Sequence, residues 1–461
     1  MKKFLTPAAV CILIGGIFPA QAFDPMSVYA QKAPEGCISS SVGKGKLDLN
    51  DLIQIGICNN PDLNRSYMAV KSSEAALGAA KASYLPSVDL GGKMSAAHYK
   101  GQYDEPDADV YKKMKAKPYS VNIALNWLLL DFGGRSASTQ MMKAYMESAA
   151  FGYNAALHDI ILGINSAYLD LLSAEEVLKS AETSVASYKK SYDETQKKYQ
   201  VGKAATSDLL LAKTTYLRSR LAVTSARNTI EKNQANLAKL LNLAPETKFD
   251  LVIPKKDNAS TALRQNLSVH EMIRIALTLR PELKSAAQSR EAAKQNISVA
   301  KSAMAPTLAL YGNASYSDRW KDDKPFENGY PYTYGAEVGL SLNMPLFEGF
   351  SKMYNVAKAR YDYQQAVYAQ KSTQDTVKNE VWSAYQDYQT ALASYTINQD
   401  VLKSAEENER VSRASYRAGK ETLLNLLTVQ SQLASARQEL IVSFYTVLIS
   451  KANLYRAVGK F

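Results

Sequence analysis

The sequence is poor in the residues that build chemical sites. Three Cys, three His and three Trp occur in 461 residues, with only 15 Pro and 22 Gly. His98, His158 and His270 stand apart, none three or four residues from another His or from a Cys, so no metal-ligand pattern forms. No phosphate-binding glycine loop, dinucleotide turn or serine nucleophile elbow is present. The sequence therefore gives no reason to expect an enzyme, a cofactor or a bound metal. Low Pro and Gly exclude collagen-like and disordered chains. A dominant charge is missing too: the net charge is +11, or +9 once Lys2 and Lys3 are removed, and acids alternate with bases along most helical stretches. A nucleic-acid footprint gathers its basic residues into a patch interleaved with aromatics, so nucleic acid is not an expected partner. Beyond residue 22 no unbroken run of about 18 apolar residues occurs, which argues against a bundle of membrane helices but leaves a membrane β-barrel open.

What is present begins with a leader. Lys2 and Lys3 precede an apolar run from Phe4 to Phe18, and Ala20, Gln21 and Ala22 form a small-x-small cleavage site, so residues 1–22 read as a signal peptide and the mature chain is expected to begin near Phe23. Neither Cys11 nor Cys37 has the context of a lipoprotein cleavage site. Residues 23–46 read as an irregular segment. In an oxidising compartment Cys37 and Cys58 are expected to form a disulfide tying that segment to the first helix, a cross-link of about 3 kcal/mol by loop-closure arithmetic. Two separate buried thiols are the alternative.

The informative feature is an internal repeat. Leu47 to Leu63 (LDLNDLIQIGICNNPDL) matches Leu267 to Leu283 (LSVHEMIRIALTLRPEL) at an offset of 220, which continues through Lys81/Lys301, Pro86/Pro306 and Leu90/Leu310. Later anchors align at 217: Asp131 with Glu348, Tyr199, Gly202 and Lys203 with Tyr416, Gly419 and Lys420, and Arg220 with Arg437. The second copy is shorter by three residues, lost between Leu90 and Asp131. The chain divides into a first repeat over 47–253, a linker over 254–266 and a second repeat over 267–461.

Each repeat reads as helix, strand, loop, strand and long helical hairpin. The first helix breaks where Asn60 caps and Pro61 takes the first helical position, and Pro281 repeats this. Pro86 and Pro306 stop the helices, after which the apolar period changes to two. Strands are expected near 86–99 and 118–130, with Val88, Leu90 and Met94 on one face going out and Val121, Ile123, Leu125 and Trp127 coming back. The second copy places them near 306–317 and 334–347, and polar loops near 100–117 and 318–333 join each pair. Four strands with one apolar and one polar face suit an outer-membrane barrel, but four are too few to close one, since the smallest known barrels have about eight. Two copies would supply 8 strands and three would supply 12.

The helical hairpins span 134–241 and 350–458. Gly134 to Tyr199 contains no Pro and reads as one helix of about 65 residues, roughly 100 Å long. The hairpins turn at Gln200 to Thr206 and at Arg417 to Thr422. On the last helix Leu426, Val429, Leu433, Ala436, Leu440, Phe444 and Val447 form a coiled-coil seam.

These residues resemble the TolC family of outer-membrane channel-tunnels over nearly the whole mature chain. The resemblance rests on the helix start Asn60 to Leu63, repeated with Arg280 in place of Asn, and on LLLDFGGR (Leu128 to Arg135) with PLFEGFSK (Pro345 to Lys352). It rests further on the turns YQVGKAATSDLL and YRAGKETLLNLL. It implies a mainly α fold with a membrane β-barrel: a homotrimer whose 12-strand barrel in outer-membrane lipid continues as an α-helical tunnel across the periplasm. It also implies a passive exit duct docked onto a periplasmic adaptor, or membrane fusion, protein and an inner-membrane transporter. Cargo stays open between type I protein secretion and multidrug efflux, and the Cys37 and Cys58 pair, similar to one in secretion-associated members, tilts towards secretion. A non-conducting structural coiled-coil protein of the envelope is the competing class.

By the same resemblance the two turns are periplasmic tips that close the tunnel, with Val201, Gly202, Ala418 and Gly419 as adaptor-docking positions. Tyr416 matches the family's gating tyrosine and Asp208 an acidic partner. Glu421 stands where well-studied members carry a gating arginine, and Asn425 and Thr428 replace their constricting aspartates. The remaining charges suggest that Lys203 or Lys420 pairs with Asp208 or Glu421 to hold the closed state.

Overall fold

A computed structural model describes residues 46–105, 108–252, 268–320 and 332–460. The leader, Cys37, the 254–266 linker and most of the 318–333 loop lie outside the described residues. The elements run α1 (Leu49–Asn59), α2 (Pro61–Ala82), β1 (Ser87–Met94), β2 (Ala97–Glu105), β3 (Ala108–Leu130), α3 (Gly134–Gln200), α4 (Thr206–Leu240), then α5 (Val269–Leu279), α6 (Pro281–Ser302), β4 (Thr307–Trp320), β5 (Tyr332–Asn343), α7 (Ser351–Arg417) and α8 (Leu423–Val458). Two compact units form: unit 1 holds residues up to 71 with 149–285 and 371–461, and unit 2 holds 72–148 with 286–370.

The sheet belongs to unit 2. Its strands are antiparallel in the order β1-β3-β4-β5. Register sets the apolar positions side by side across all four: Leu90 pairs with Ile123, Ile123 with Ala314 and Ala314 with Ala336, and Val88, Leu125, Gly312 and Val338 form the next row. Because side chains alternate between faces, these rows share one face, and Val88, Leu90, Ile123, Val338, Leu340 and Leu342 are exposed on it. Tyrosines gather at one end of the sheet, with Tyr316 stacked on Tyr332 and Tyr332 on Tyr334, each pair 6.4 Å apart. Phe347 and Phe350 meet edge to face at 5.4 Å just beyond the other end. An apolar band between aromatic girdles is the outer face of a membrane barrel.

Residues 100–105 and 108–117, expected within a loop, are strand: β2 pairs with the first part of β3, from Ala97 opposite Ala116 to Glu105 opposite Ala108, and β3 is 23 residues long. Tyr99, Tyr103, Val110 and Tyr111 are strand-forming types, and the charges among them masked that preference. Between β1 and β2 the ladder is interrupted opposite Pro118, which has no N–H to donate and whose carbonyl accepts from Ser95 N at 3.0 Å. At the far end β5 stops at Asn343 rather than near 347, ahead of Pro345.

Strand passes to helix through two consecutive left-handed residues in each repeat: Phe132 and Gly133 (φ 49° and 91°), then Gly349 and Phe350 (φ 60° and 64°). Asp131 pairs with Arg135 at 3.3 Å and Glu348 with Lys352 at 3.3 Å, so the same i,i+4 ion pair opens both long helices. Arg135 also donates to the carbonyls of Leu128 and Leu129, which binds the strand end to the helix start.

Unit 1 contains the same core built twice. Leu52, Ile164, Leu171, Leu237 and Leu241 form the first, and Met272, Val381, Tyr388, Leu454 and Val458 form the second, residue for residue at the repeat offsets. Gly134–Gln200 includes a stretch long and apolar enough to cross a membrane by length and composition. Its Ile164, Leu171 and Leu172 are instead fully buried in the first core. Volume is conserved between the cores: a Cβ on Gly56 would collide with Ile164 Cδ1, whereas the second repeat pairs Ala276 with the smaller Val381.

The helix break is also repeated with different chemistry. Asn60 Oδ1 accepts from the amides of Asp62 and Leu63 at 2.9 and 3.1 Å, and its Nδ2 donates to Leu240 O at 2.9 Å. At the matching place the buried Arg280 donates to Ala457 O at 3.3 Å, to both oxygens of Glu282 at 2.9 Å, and to Glu380 at 2.6 Å. Arg456 joins this cluster, 2.7 Å from Asp159 and 3.2 Å from Glu282. Burial alone would raise the Glu282 carboxyl, but the Arg280 fork and Arg456 hold it below its usual range.

The paired cores make a direct prediction. Gly56→Ala should destabilise by about 1–3 kcal/mol through overpacking and Ile164→Val by about 1 kcal/mol through a cavity. The double substitution, which copies the Ala276 and Val381 pair, should recover most of the loss in a thermal-unfolding double-mutant cycle; strict additivity would refute this account of the packing.

Candidate gate at the hairpin tips

Both hairpins turn through a left-handed glycine, Gly202 at φ 74° and Gly419 at φ 72°. Lys203 N bonds Lys198 O at 2.7 Å and Lys420 N bonds Ser415 O at 2.9 Å, closing the last turn of α3 and of α7 in the same way. Thr422 Oγ1 then caps α8 by accepting from Asn425 N at 3.2 Å, while Ala205, which precedes α4, supplies no side-chain cap. Val201, Gly202, Ala418 and Gly419 are exposed at the turns.

Behind the turns a small core of Tyr188, Ala212, Tyr416, Leu423, Leu426 and Leu427 joins the two hairpins. Tyr416 is buried, its hydroxyl 3.4 Å from Thr195 Oγ1 and its ring beneath Lys198 Nζ at 3.8 Å from the centroid. A cation this close to a desolvated ring face is worth about 1–2 kcal/mol. Further contacts climb the same seam: Arg417 to Glu194 at 3.0 Å, Ser191 to Gln430 at 3.1 Å, and Arg413 to Ser187 at 2.7 Å, with Arg413 also paired to Glu409. Removing the Tyr188 hydroxyl from water raises its pKa.

The expected tip residues divide into those that meet and those that do not. Glu421 accepts from Ser412 Oγ at 3.3 Å and from Asn425 Nδ2, so the two substituted positions bind each other within one helix start. Thr428 is exposed and its hydroxyl returns to Leu424 O at 2.9 Å. Asp208 is half-buried in the first turn of α4. Among the described residues neither Lys203 nor Lys420 pairs with Asp208 or Glu421 inside the protomer, and the tip charges that do bridge the hairpins are Arg417 and Glu194. Sequence reasoning missed Glu194, Lys198, Arg413 and Arg417. Their signal was present: Ser187, Ser191, Glu194 and Lys198 are polar residues at steps of four, three and four, the spacing of a seam. Cys58 is disulfide-bonded, and Cys37, its expected partner, lies outside the described residues.

A sheet with an apolar outward face and aromatic girdles, joined to two long α-hairpins with glycine tips, defines an outer-membrane channel of the helical-tunnel class. The family model for outer membrane efflux proteins matches residues 52–243 and 272–460, and the chain belongs to that family. Its strands lie in the outer membrane and its helices in the periplasm, and it serves as an exit duct. The chain is 26% identical to Protein CyaE of Bordetella pertussis over 90% of this chain and 84% of that protein. It is 23% identical to outer membrane protein TolC of Escherichia coli over 89% and 82% of the two chains. Its fold matches the CmeC outer membrane channel of Campylobacter jejuni with a TM-score of 0.74 at 19% identity, covering 89% of this chain and 85% of that one.

The left-handed turns are testable in isolation from conduction. Gly419→Ala should cost about 1 kcal/mol, because Cβ clashes in this conformation. Amide exchange at 415–423 should then accelerate about fivefold while the α1 and α5 regions keep their protection; unchanged exchange at the tip would contradict a glycine requirement there.

Proposed function

We propose that three copies of the chain assemble into the outer-membrane duct of a tripartite export system. The observation that carries this reading is the sheet: four strands with an apolar face end at β1 on one side and β5 on the other, and neither outer edge has a partner in the described chain. Strand edges in hydrocarbon must pair, so copies supply the missing edges, and three copies bring 12 strands. A periplasmic adaptor protein docks at Val201, Gly202, Ala418 and Gly419, and an inner-membrane transporter supplies the energy.

The tips form the gate. Lys198 on Tyr416, Thr195 on Tyr416 and Arg417 on Glu194 hold the two hairpins of one protomer together in the closed state, with Asp208, Lys203 and Lys420 as the charges left for contacts between protomers or with the adaptor. Asn425 and Thr428 leave the constriction without a ring of aspartates, which weakens its preference for cations.

Family membership favours efflux, and the disulfide at Cys58 favours protein secretion. Deleting the gene and comparing culture-supernatant proteins and drug susceptibility with the parent separates the two. Loss of one or a few secreted proteins with unchanged susceptibility assigns secretion, and a sharp rise in drug sensitivity assigns efflux. If both readouts stay at the parental level, the export reading fails.

A further inference from the structure

Unit 2 is flanked by two helices whose outward faces nothing in the described chain covers. α2 leads into β1 and α7 leaves β5, and β1 and β5 are the outer strands of the sheet. Each helix packs through one face, marked by Leu77 on α2 and by Val356 and Ala359 on α7, all buried. The helical period places Ser72, Ala75, Ala79 and Ala82 on the side of α2 opposite Leu77, and all four are exposed. The same period places Tyr354, Tyr361 and Tyr368 on the side of α7 opposite Val356 and Ala359, where they are 74%, 75% and 67% exposed.

The two faces are complementary in size and in step. Tyrosines seven residues apart project a ring about every 10 Å along α7. On α2, Ser72 and Ala79, and likewise Ala75 and Ala82, are also seven apart, so the small residues leave depressions at the same interval. A periodic row of exposed aromatic rings is not the scatter of single apolar residues that ordinary surfaces carry. Within unit 2 the faces lie at the β1 side and the β5 side, so no one copy brings them together. Contact between copies is therefore head to tail, the kind that closes into a ring. The chain directions agree: α2 runs towards the sheet and α7 away from it, which makes the facing helices antiparallel, as are all pairs in the sheet.

We propose that the tyrosine ladder of α7 in one copy inserts into the small-residue trough of α2 in the next, as knobs into holes. The occupant of each face is a second copy of this chain, and the seam continues below the barrel the pairing of the open β5 and β1 edges. The inference rests on the trimeric reading above and adds to it the residues that set the order and register of neighbours.

The test uses the full chain in its own membrane. Tyr361→Cys is combined with Ser72→Cys or with Ala75→Cys, membranes are treated with a short bismaleimide, and products are separated on denaturing gels beside the native mass of the detergent-extracted protein. At least one double variant should give a ladder of linked dimers and trimers, and each single variant should run as a monomer. Trimers by native mass with no ladder from either double variant would overturn the seam and leave the trimer standing; a monomeric wild-type protein would overturn both. In parallel, Ala79→Leu, which fills the trough, should lower the temperature at which the trimer dissociates in detergent, whereas Ala79→Ser should not. Equal dissociation temperatures for the two would also overturn the seam.

Discussion

A strand in hydrocarbon has nowhere to leave an unpaired N–H or C=O, and this demand organises the whole molecule. The chain builds four membrane strands, aligns their apolar residues into one face, and among the described residues leaves the edges of β1 and β5 open. A sheet of that kind has no stable place in a bilayer on its own. Assembly with further copies is the proposed answer, and the two flanking helices, one bulky and one small on their outward faces, extend the same logic into the helical part. The outer part of the β2 and β3 hairpin, Ala97–Glu105 against Ala108–Ala116, pairs only with itself among the described residues and lies beyond the end of β1, outside the four-strand sheet.

Duplication lets one solution be used twice with different residues. Gly56 with Ile164 and Ala276 with Val381 fill the same space by opposite allocations of methyl groups. Asn60 and Arg280 both tie a helix break to the end of the returning helix, one with an amide and the other with a guanidinium that recruits Glu282, Glu380 and Arg456. Phe-Gly and Gly-Phe exchange places at the strand-to-helix turn and keep both residues left-handed. In each case the repeat conserves a physical requirement, such as a volume, a satisfied carbonyl or a backbone conformation, more strictly than it conserves a side chain.

This explains what sequence reading reached. Offsets of 220 and 217, the shift from helical to period-two spacing after Pro86 and Pro306, and the paired glycines all made the architecture legible, because each is a local pattern. The tip glycines were legible for the same reason, and Tyr416 only through the family resemblance. The β2 strand was obscured because charged residues there resemble a loop when strand pairing is not visible. Glu194 and Arg417 are 223 positions apart, and Arg280 and Glu380 are 100 apart. Single charged residues on long amphipathic helices look solvated until the fold brings the helices together. The tip therefore gave up its turn chemistry to the sequence, but not the ion pair and the cation over the Tyr416 ring that join its hairpins.

We propose a conducting duct held nearly shut by contacts between the chain's own two hairpins. Single-channel recording in planar bilayers tests it most directly, comparing the wild-type protein with Tyr416→Ala combined with Arg417→Glu. Closure by these contacts predicts a small, steady wild-type conductance and a several-fold larger one for the variant, since the ring under Lys198 and the partner of Glu194 are both lost. Equal conductance in the two proteins would contradict closure by these contacts, and the absence of any channel in either would contradict the duct itself.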